Sequence, residues 1–479
     1  MDIPPIPPQG RTAGLMQFVR RRIAAREWPP GARLPSLRGM ALQHGVSKST
    51  VVEAYDRLAA EGIIRARAGA GFYVAGPLAP LALAEIGPRL DRQIDPLWVS
   101  RQSLDIGAQA LKPGCGWLPD DWMPRDAIRR ALRQVARDPD APLTDYAPAL
   151  GLPALRSLIA RHLGTRGPAV DPRRILLTDS GTQAVDLLCR FLIQPGDAVL
   201  VDDPCYFNFL ALLRAHRARI IGVPHEPDGP DMDRFEAALR THRPRLYLSN
   251  AGPHNPTGAR LSAIKARRIQ ALARVHDLIL IEDDLFGDLE AGPYARLADE
   301  EGGDRVAQVG SFSKTLSASL RCGYLIARED WLDALADLRT ATTFSGAGLT
   351  QAVIVRLLQD GAWQQHTRLL RQRLALAMPR AIGLLDALGL RPWHEPDTGM
   401  FLWCRLPEGI DGARLARAGL QQGLMLAPGN VFSQTRTAGG MMRFNVSQMD
   451  DPSLPGRLAA LIRNCPRDTP PTLSSEKSP

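Results

Sequence analysis

Lys314 stands in the string Gly310 to Tyr324, GSFSKTLSASLRCGY, in a serine-rich loop directly after an apolar stretch. A lysine amine condenses with an aldehyde to an imine, and Ser311 three residues before it and Arg321 seven after can grip a phosphate on the same molecule. Alone, the string also describes an ordinary surface lysine. Asp179 to Thr182, DSGT, lies between the apolar run RILLT and a helix start near Gln183. Backbone N–H groups there, with the Ser180 and Thr182 hydroxyls, can cradle a phosphate. Glu282-Asp283-Asp284 closes the run LILI, where a carboxylate suits a metal, a helix cap or, best, a protonated ring nitrogen whose electron-withdrawing power it preserves. Pro253 to Gly258, PHNPTG, follows RLYLS; Asn255 can hydrogen-bond a ring hydroxyl oxygen and Pro256 can fix the turn. Four loops, each ending a strand-like run, thus supply aldehyde capture, a phosphate cup, and partners for a ring nitrogen and a ring oxygen.

The elements that must hold these loops are legible as short β-branched or aliphatic runs alternating with helical patterns: RILLT (174–178), AVLVD (198–202), RLYLS (245–249), LILIE (278–282), VAQVG (306–310) and GYLIA (323–327). Such alternation predicts a mostly parallel α/β sheet. Little periodicity marks residues 1–10, a stretch from Gly76 to Ser103 and a tail from Pro466, which read as arm, linker and disordered tail. Spaced apolar residues such as Leu97 and Trp98 predict that part of the linker is helical and docked. The six cysteines are scattered singly, without zinc or redox spacing, and no metal site is expected. No run approaches the ~20 apolar residues of a membrane span, and the opening MDIPPIPPQG lacks the charged and apolar regions of a leader. A cytoplasmic location is expected.

Of the net charge of +9, residues 1–76 hold +6: eleven Lys/Arg against five Asp/Glu. That asymmetry favours a polyanionic partner, although a solvated basic face is a common alternative. Ser36 to Gln43 forms a helix with Leu37, Met40 and Ala41 inward; Gly45 supplies a turn; Ser47 caps a second helix with Val51, Tyr55 and Leu58 on one face. Lys48, Ser49 and Thr50 then open the second helix, where a recognition helix meets bases and phosphates. Strands at Ile63 to Arg67 and Phe72 to Val74 flank Gly69-Ala70-Gly71 as a wing. The run Gly31 to Val74 resembles the GntR-type winged helix. The resemblance implies DNA contacts from Arg33, Ser36, Arg38, Lys48, Ser49, Thr50 and Gly71. Arg is usual in the family where this chain has Lys48, so a point-charge phosphate contact replaces a forked base contact there.

Residues from about 103 to 463 resemble a fold-type I pyridoxal-phosphate enzyme of the aminotransferase class, and the fusion to a GntR module resembles the MocR subfamily of regulators. The resemblance implies a winged helix (11–76), a linker (77–103), an α/β aminotransferase-like domain with a smaller C-terminal α+β part (104–465) and a tail (466–479). It implies pyridoxal 5′-phosphate as cofactor, with Lys314 as Schiff-base lysine, Asp283 at the pyridinium and Asn255 at the 3-hydroxyl oxygen. Ser180, Gly181, Thr182, Ser311, Ser313 and Arg321 surround the phosphate. Tyr206 stacks on the ring, a core aromatic being the alternative; Tyr146 reaches the phosphate of a neighbouring subunit, hence a homodimer; and Arg443 holds an effector's α-carboxylate. Phe286 stands where the family often has a tyrosine whose hydroxyl supports the 3-oxygen, which weakens the case for efficient transamination. The expected function is a regulator that binds a double-stranded DNA operator and senses pyridoxal phosphate, or an amino compound forming an external aldimine with it. The alternative is an aminotransferase with an accessory DNA-binding domain.

Overall fold

The computed structural model describes residues 10–24, 27–28, 31–67, 71–75, 94–107, 109–250, 252–290, 292, 294–299 and 305–467. The arm, the wing tip at Gly69-Ala70, most of the linker and the end of the tail lie outside the described residues. The chain divides into two compact units, Met1–Arg92 and Gln93–Pro479.

The first unit is built on three helices and a hairpin: α1 (Arg11–Ala24), α2 (Leu37–His44), α3 (Lys48–Ala60), β1 (Ile64–Arg67) and β2 (Gly71–Val74). The predicted caps form: Ser36 Oγ accepts the Gly39 N–H at 3.1 Å, and Ser47 Oγ accepts that of Thr50 at 3.1 Å. Gly45 ends α2 in the left-handed region at φ 62°, which a Cβ would strain. Met40, Val51, Tyr55 and Leu58 are buried together with Leu15 and Val19 of α1. Burying an aliphatic side chain of that size is worth about 1.5–3 kcal/mol, so this small core holds the turn between α2 and α3 in one geometry. The hairpin pairs antiparallel from Ile64 opposite Val74 to Arg67 opposite Gly71.

The second unit begins with α4 (Pro96–Asp105). Asp95 Oδ1 caps it by accepting the Trp98 N–H at 2.7 Å, and Val99 and Ser103 are buried. The expected linker, 77–103, therefore gives up its last residues to a docked helix, which the Leu97 and Trp98 spacing foreshadows. The main sheet runs β3 (Ile175–Thr178), β4 (Ala198–Asp203), β5 (Arg219–Glu226), β6 (Gly229–Pro230), β7 (Leu246–Ser249), β8 (Ile279–Asp283), β9 (Val306–Ser311) and β10 (Gly323–Ile326) along the chain. Its spatial order is β3-β10-β9-β8-β7-β4-β5-β6. Pairing is parallel from β9 across to β5, while β10 runs antiparallel to both β9 and β3. Helices α5 (Gly181–Leu192) and α6 (Phe207–Ala215) follow β3 and β4. A smaller C-terminal sheet has the order β11-β12-β14-β13, from β11 (Arg391–Pro392), β12 (Phe401–Arg405), β13 (Ala427–Pro428) and β14 (Met441–Asn445), with α7 (Gly412–Gln421) beside it. No helix among the described residues is long and apolar enough to cross a membrane.

Candidate functional site

Parallel strands bring their C-terminal ends to one edge, and the loops there line a cavity of roughly 270 Å³. Because β10 is antiparallel, it brings its N-terminal end to that edge, and Arg321 just before it meets Ser311 and Lys314 just after β9. Lining residues include Ser180, Gly181 and Thr182 at the start of α5, Tyr206 before α6, and Asn255, Asp283, Ser311, Ser313, Lys314, Arg321 and Arg443. Every cofactor and effector residue expected from the sequence, Tyr146 excepted, thus faces one space. The cup is closely built. A Cβ on Gly323 would lie 2.5 Å from the Ser180 carbonyl carbon, so glycine there lets β10 abut the start of α5.

Lys314 Nζ donates to the Gly116 carbonyl at 2.6 Å. Burial, then the Arg443 charge, push its ammonium down to about 8 against the opposing pull of Asp283. Asp283 is pushed up to about 7 by burial; its side chain accepts the Leu285 N–H at 3.1 Å. A buried carboxylate so disfavoured fits a cationic ring N–H, and a lysine so depressed fits an aldehyde, because only the free amine has the lone pair to attack. The sign follows: protonated amine dominates below about 8 and free amine above. The rate at which apoprotein captures pyridoxal phosphate should therefore rise with pH and level off above about 8. Stopped-flow absorbance across pH 6–10 checks this; a rise continuing to the ~10.4 of an ordinary lysine would refute the depressed amine.

Strand alternation separates the three acids. Asp283 lines the cavity, while Glu282, on the opposite face, accepts the Leu297 and Ala298 N–H groups at 2.6 and 3.1 Å and is pushed up to about 8 by burial. Asp284 accepts the Tyr294 hydroxyl and lies 3.5 Å from Arg166. Arg443, 1% exposed, donates Nη1 to Asn255 Oδ1 at 2.8 Å and Nη2 to the Gly114 carbonyl at 2.5 Å. Its guanidinium lies 4.6 Å from the centre of the Phe401 ring and 4.9 Å from that of Phe432, and its Nε has no hydrogen-bond partner. Burial pushes it down to about 10. Phe286 lines the cavity and packs edge-on against Phe401 at 5.2 Å, offering no hydroxyl there. Tyr206 contacts Phe207 and Phe209. Tyr146 is not in the lining; it is 77% exposed and packs edge-on against Phe344, itself exposed.

Several residues of this region escape a sequence reading. Ser100, Ser103 and Leu104 of α4 also line the cavity. Behind Asn255, buried Asp202 accepts the Tyr247 and Ser249 hydroxyls, both at 2.5 Å, and lies 3.5 Å from His254 Nε2. His225 stacks on His254 at 4.0 Å, and one ligand atom from each of Asp202, His225 and His254 lies within 4.8 Å of the others. The available signal was the pair Asp202-Asp203 closing an apolar strand.

In the winged helix, Arg33, Ser36, Arg38, Lys48 and Ser49 are exposed and Thr50 is half-buried. Ser36 is engaged as a cap, and the Ser49 and Thr50 hydroxyls each lie 2.8 Å from Ser47 Oγ. Arg33 bridges to Tyr73, with Nε 3.6 Å from where a Gly71 Cβ would sit. Lys48 at the start of α3 and Arg38 on α2 are exposed cations. Replacing either with alanine should reduce the slope of log K against log salt for duplex DNA by roughly one. Unchanged slopes in both variants would remove them from the interface.

Residues 119–461 match the family described as aminotransferase class I and II, and residues 12–74 match the bacterial regulatory proteins of the gntR family. The chain is 30% identical to the uncharacterized HTH-type transcriptional regulator YdcR of Escherichia coli K12, over 90% of this chain and 94% of that one. It is 28% identical to the probable rhizopine catabolism regulatory protein MocR of Rhizobium meliloti, over 86% and 85%. Among solved structures it is similar to LysN, an α-aminoadipate aminotransferase of Thermus thermophilus complexed with N-(5′-phosphopyridoxyl)-L-leucine. That match has a TM-score of 0.69 and 25% identity, and covers 76% of this chain and 94% of that one.

Proposed function

We propose, from the premise that the chain belongs to the MocR-type regulators, which join a GntR winged helix to an aminotransferase class I and II domain, that occupancy of the Lys314 cavity sets how it engages its operator. The protein is a DNA-binding transcription regulator; the ligand that governs it is the proposal. One observation carries it: Lys314, Asp283, Asn255 and the phosphate-binding side chains share one cavity with Arg443. The residues fit pyridoxal 5′-phosphate, which when bound supplies an aldehyde to amines and an electron sink. Lys314 would hold it covalently, Asp283 would face the ring nitrogen and Asn255 the ring oxygen. Ser180, Gly181, Thr182, Ser311, Ser313 and Arg321 would take the phosphate, and Tyr206 the ring face. Arg443 would clamp the carboxylate of an amino-acid effector, and its bond to Asn255 gives that clamp a route to the ring oxygen's partner. The exposed pair Tyr146 and Phe344 supports a homodimer in which Tyr146 serves the partner's cavity.

The test is to select binding sequences from a random duplex pool and footprint the full chain on them, with and without cofactor and candidate amines. Two protected half-sites whose pattern shifts with an amine are expected; a single half-site would sink the dimer, and a footprint indifferent to cofactor and to every amine would sink the sensor. Arg443 beside Lys314 favours a second reading, a working aminotransferase, against which Phe286 stands. Multiple turnover of an amino donor would decide for it.

A further inference from the structure

A second cavity of the same unit, roughly 280 Å³, shares no residue with the cofactor site. Arg214 at the end of α6, Arg414 and Arg417 on α7, Arg436, Asn430 and Ser433 line it. The carboxylate among its lining residues is Asp95, whose Oδ1 is engaged in capping α4. Four guanidinium groups thus share one cavity wall with Asp95.

Arg214 and Arg436 carry the argument. Arg214 donates Nη2 to Gln434 Oε1 at 3.2 Å, and among the described residues neither arginine has an ion pair. Burial first, and the charge of Arg436 second, push the Arg214 guanidinium below its ordinary value. Arg436 sits at φ 59° in an exposed turn, in the left-handed region that asparagine adopts more readily. Like charges gathered on one wall repel one another, and an anion bound between them relieves that repulsion.

We propose that this cavity binds a small polyanion, a molecule bearing a phosphate or at least two carboxylates, as a second effector. Guanidinium forks match such oxygens bidentately, and the Ser433 hydroxyl adds a neutral polar partner. Three elements join it to the cofactor cavity. The start of α4 lines the one with Asp95 and Pro96, and its later turns line the other with Ser100, Ser103 and Leu104. α6 carries Arg214 at one end and Phe207 at the other. Phe432, between lining residues Val431 and Ser433, lies 4.9 Å from the Arg443 guanidinium and accepts the Cys205 N–H at 2.9 Å. By linkage, a polyanion here and a ligand at Lys314 change each other's affinity by the same factor.

The inference goes beyond the reading of the Lys314 site and does not rest on it, since binding is measured with or without cofactor. Titration calorimetry of the full chain with inorganic pyrophosphate and with citrate, at constant ionic strength, should show one saturable site per chain. The double variant Arg214→Gln/Arg436→Asn should weaken it at least about tenfold with the cofactor's visible band intact; asparagine tolerates the left-handed backbone. Should that variant lose the band, Arg414→Gln/Arg417→Gln, on the exposed face of α7, replaces it with the same expectation. Absence of saturable binding of both anions, or equal affinity in the variants, overturns the proposal. So does a variant that lowers the salt slope for random duplex DNA while the wild type binds neither anion, which would assign the arginines to the nucleic-acid backbone.

Discussion

Replacing Lys314 with alanine should reduce borohydride-trapped pyridoxal phosphate to background and remove the yellow colour of the purified protein. The effect is expected to be all-or-none because the chain offers few substitutes: its other lysines are Lys48, Lys112, Lys265 and Lys477. Lys265 is held by Glu226 and Asp228, Lys48 belongs to the winged helix, and neither Lys112 nor Lys265 lines the cavity. At Lys314 burial and the Arg443 charge push the amine down to about 8, closer to neutral pH than an ordinary lysine. Peptide mapping after reduction checks the result; trapped cofactor on any other lysine in the variant would overturn the assignment. Lys314→Arg, which keeps the cation but cannot form the imine, separates lost chemistry from lost packing.

Arg443→Ala should abolish the response to carboxylate-bearing amines while sparing the response to amines without a carboxylate. Removing one member of a buried charge pair costs about 2–5 kcal/mol, a loss of effector affinity of roughly thirtyfold to several thousandfold. Arg443 is enclosed by Phe401, Phe432 and Phe207, so alanine leaves an apolar pocket and frees Asn255 Oδ1 of its donor. The cofactor band should persist with a small shift, because Asn255 then meets the ring oxygen without its neighbour. Equal losses for both classes of amine would mean that Arg443 supports the cavity rather than the carboxylate. Spectral titration against paired amines, such as an amino acid and its decarboxylated counterpart, makes the comparison.

The strands and the loops ending them were legible because each motif is contiguous: RILLT before DSGT, or VAQVG before SFSK, states its own position at a sheet edge. The caps Ser36 and Ser47 were legible for the same reason. What the sequence leaves open is whatever depends on distant partners. The residues alone left the acidic triple open and the family resemblance singled out Asp283; the pleat of β8 sets it at the cavity and Glu282 on the opposite face. The bond from Arg443 to Asn255 joins positions far apart in the chain, and Asp202 meets His254 only across the sheet. Helix α4 was legible in part, from the Leu97 and Trp98 spacing, but not its bounds, since the burial of Val99 and Ser103 depends on residues distant in the chain.

The antiparallel setting of β10 gives the chain a ruler. Lys314 and Arg321 are the two ends of one bight, pinned by β9 before it and by β10 after it, and β10 is in turn wedged between β9 and β3. The distance from Lys314 to Arg321 is thereby set by a loop of fixed length rather than by side chains that repacking can adjust. Residues within the bight can be traded, but adding or deleting one would move Lys314 relative to Arg321. Descendants of this sequence that abandon the cofactor should announce it there first, as a change in spacing.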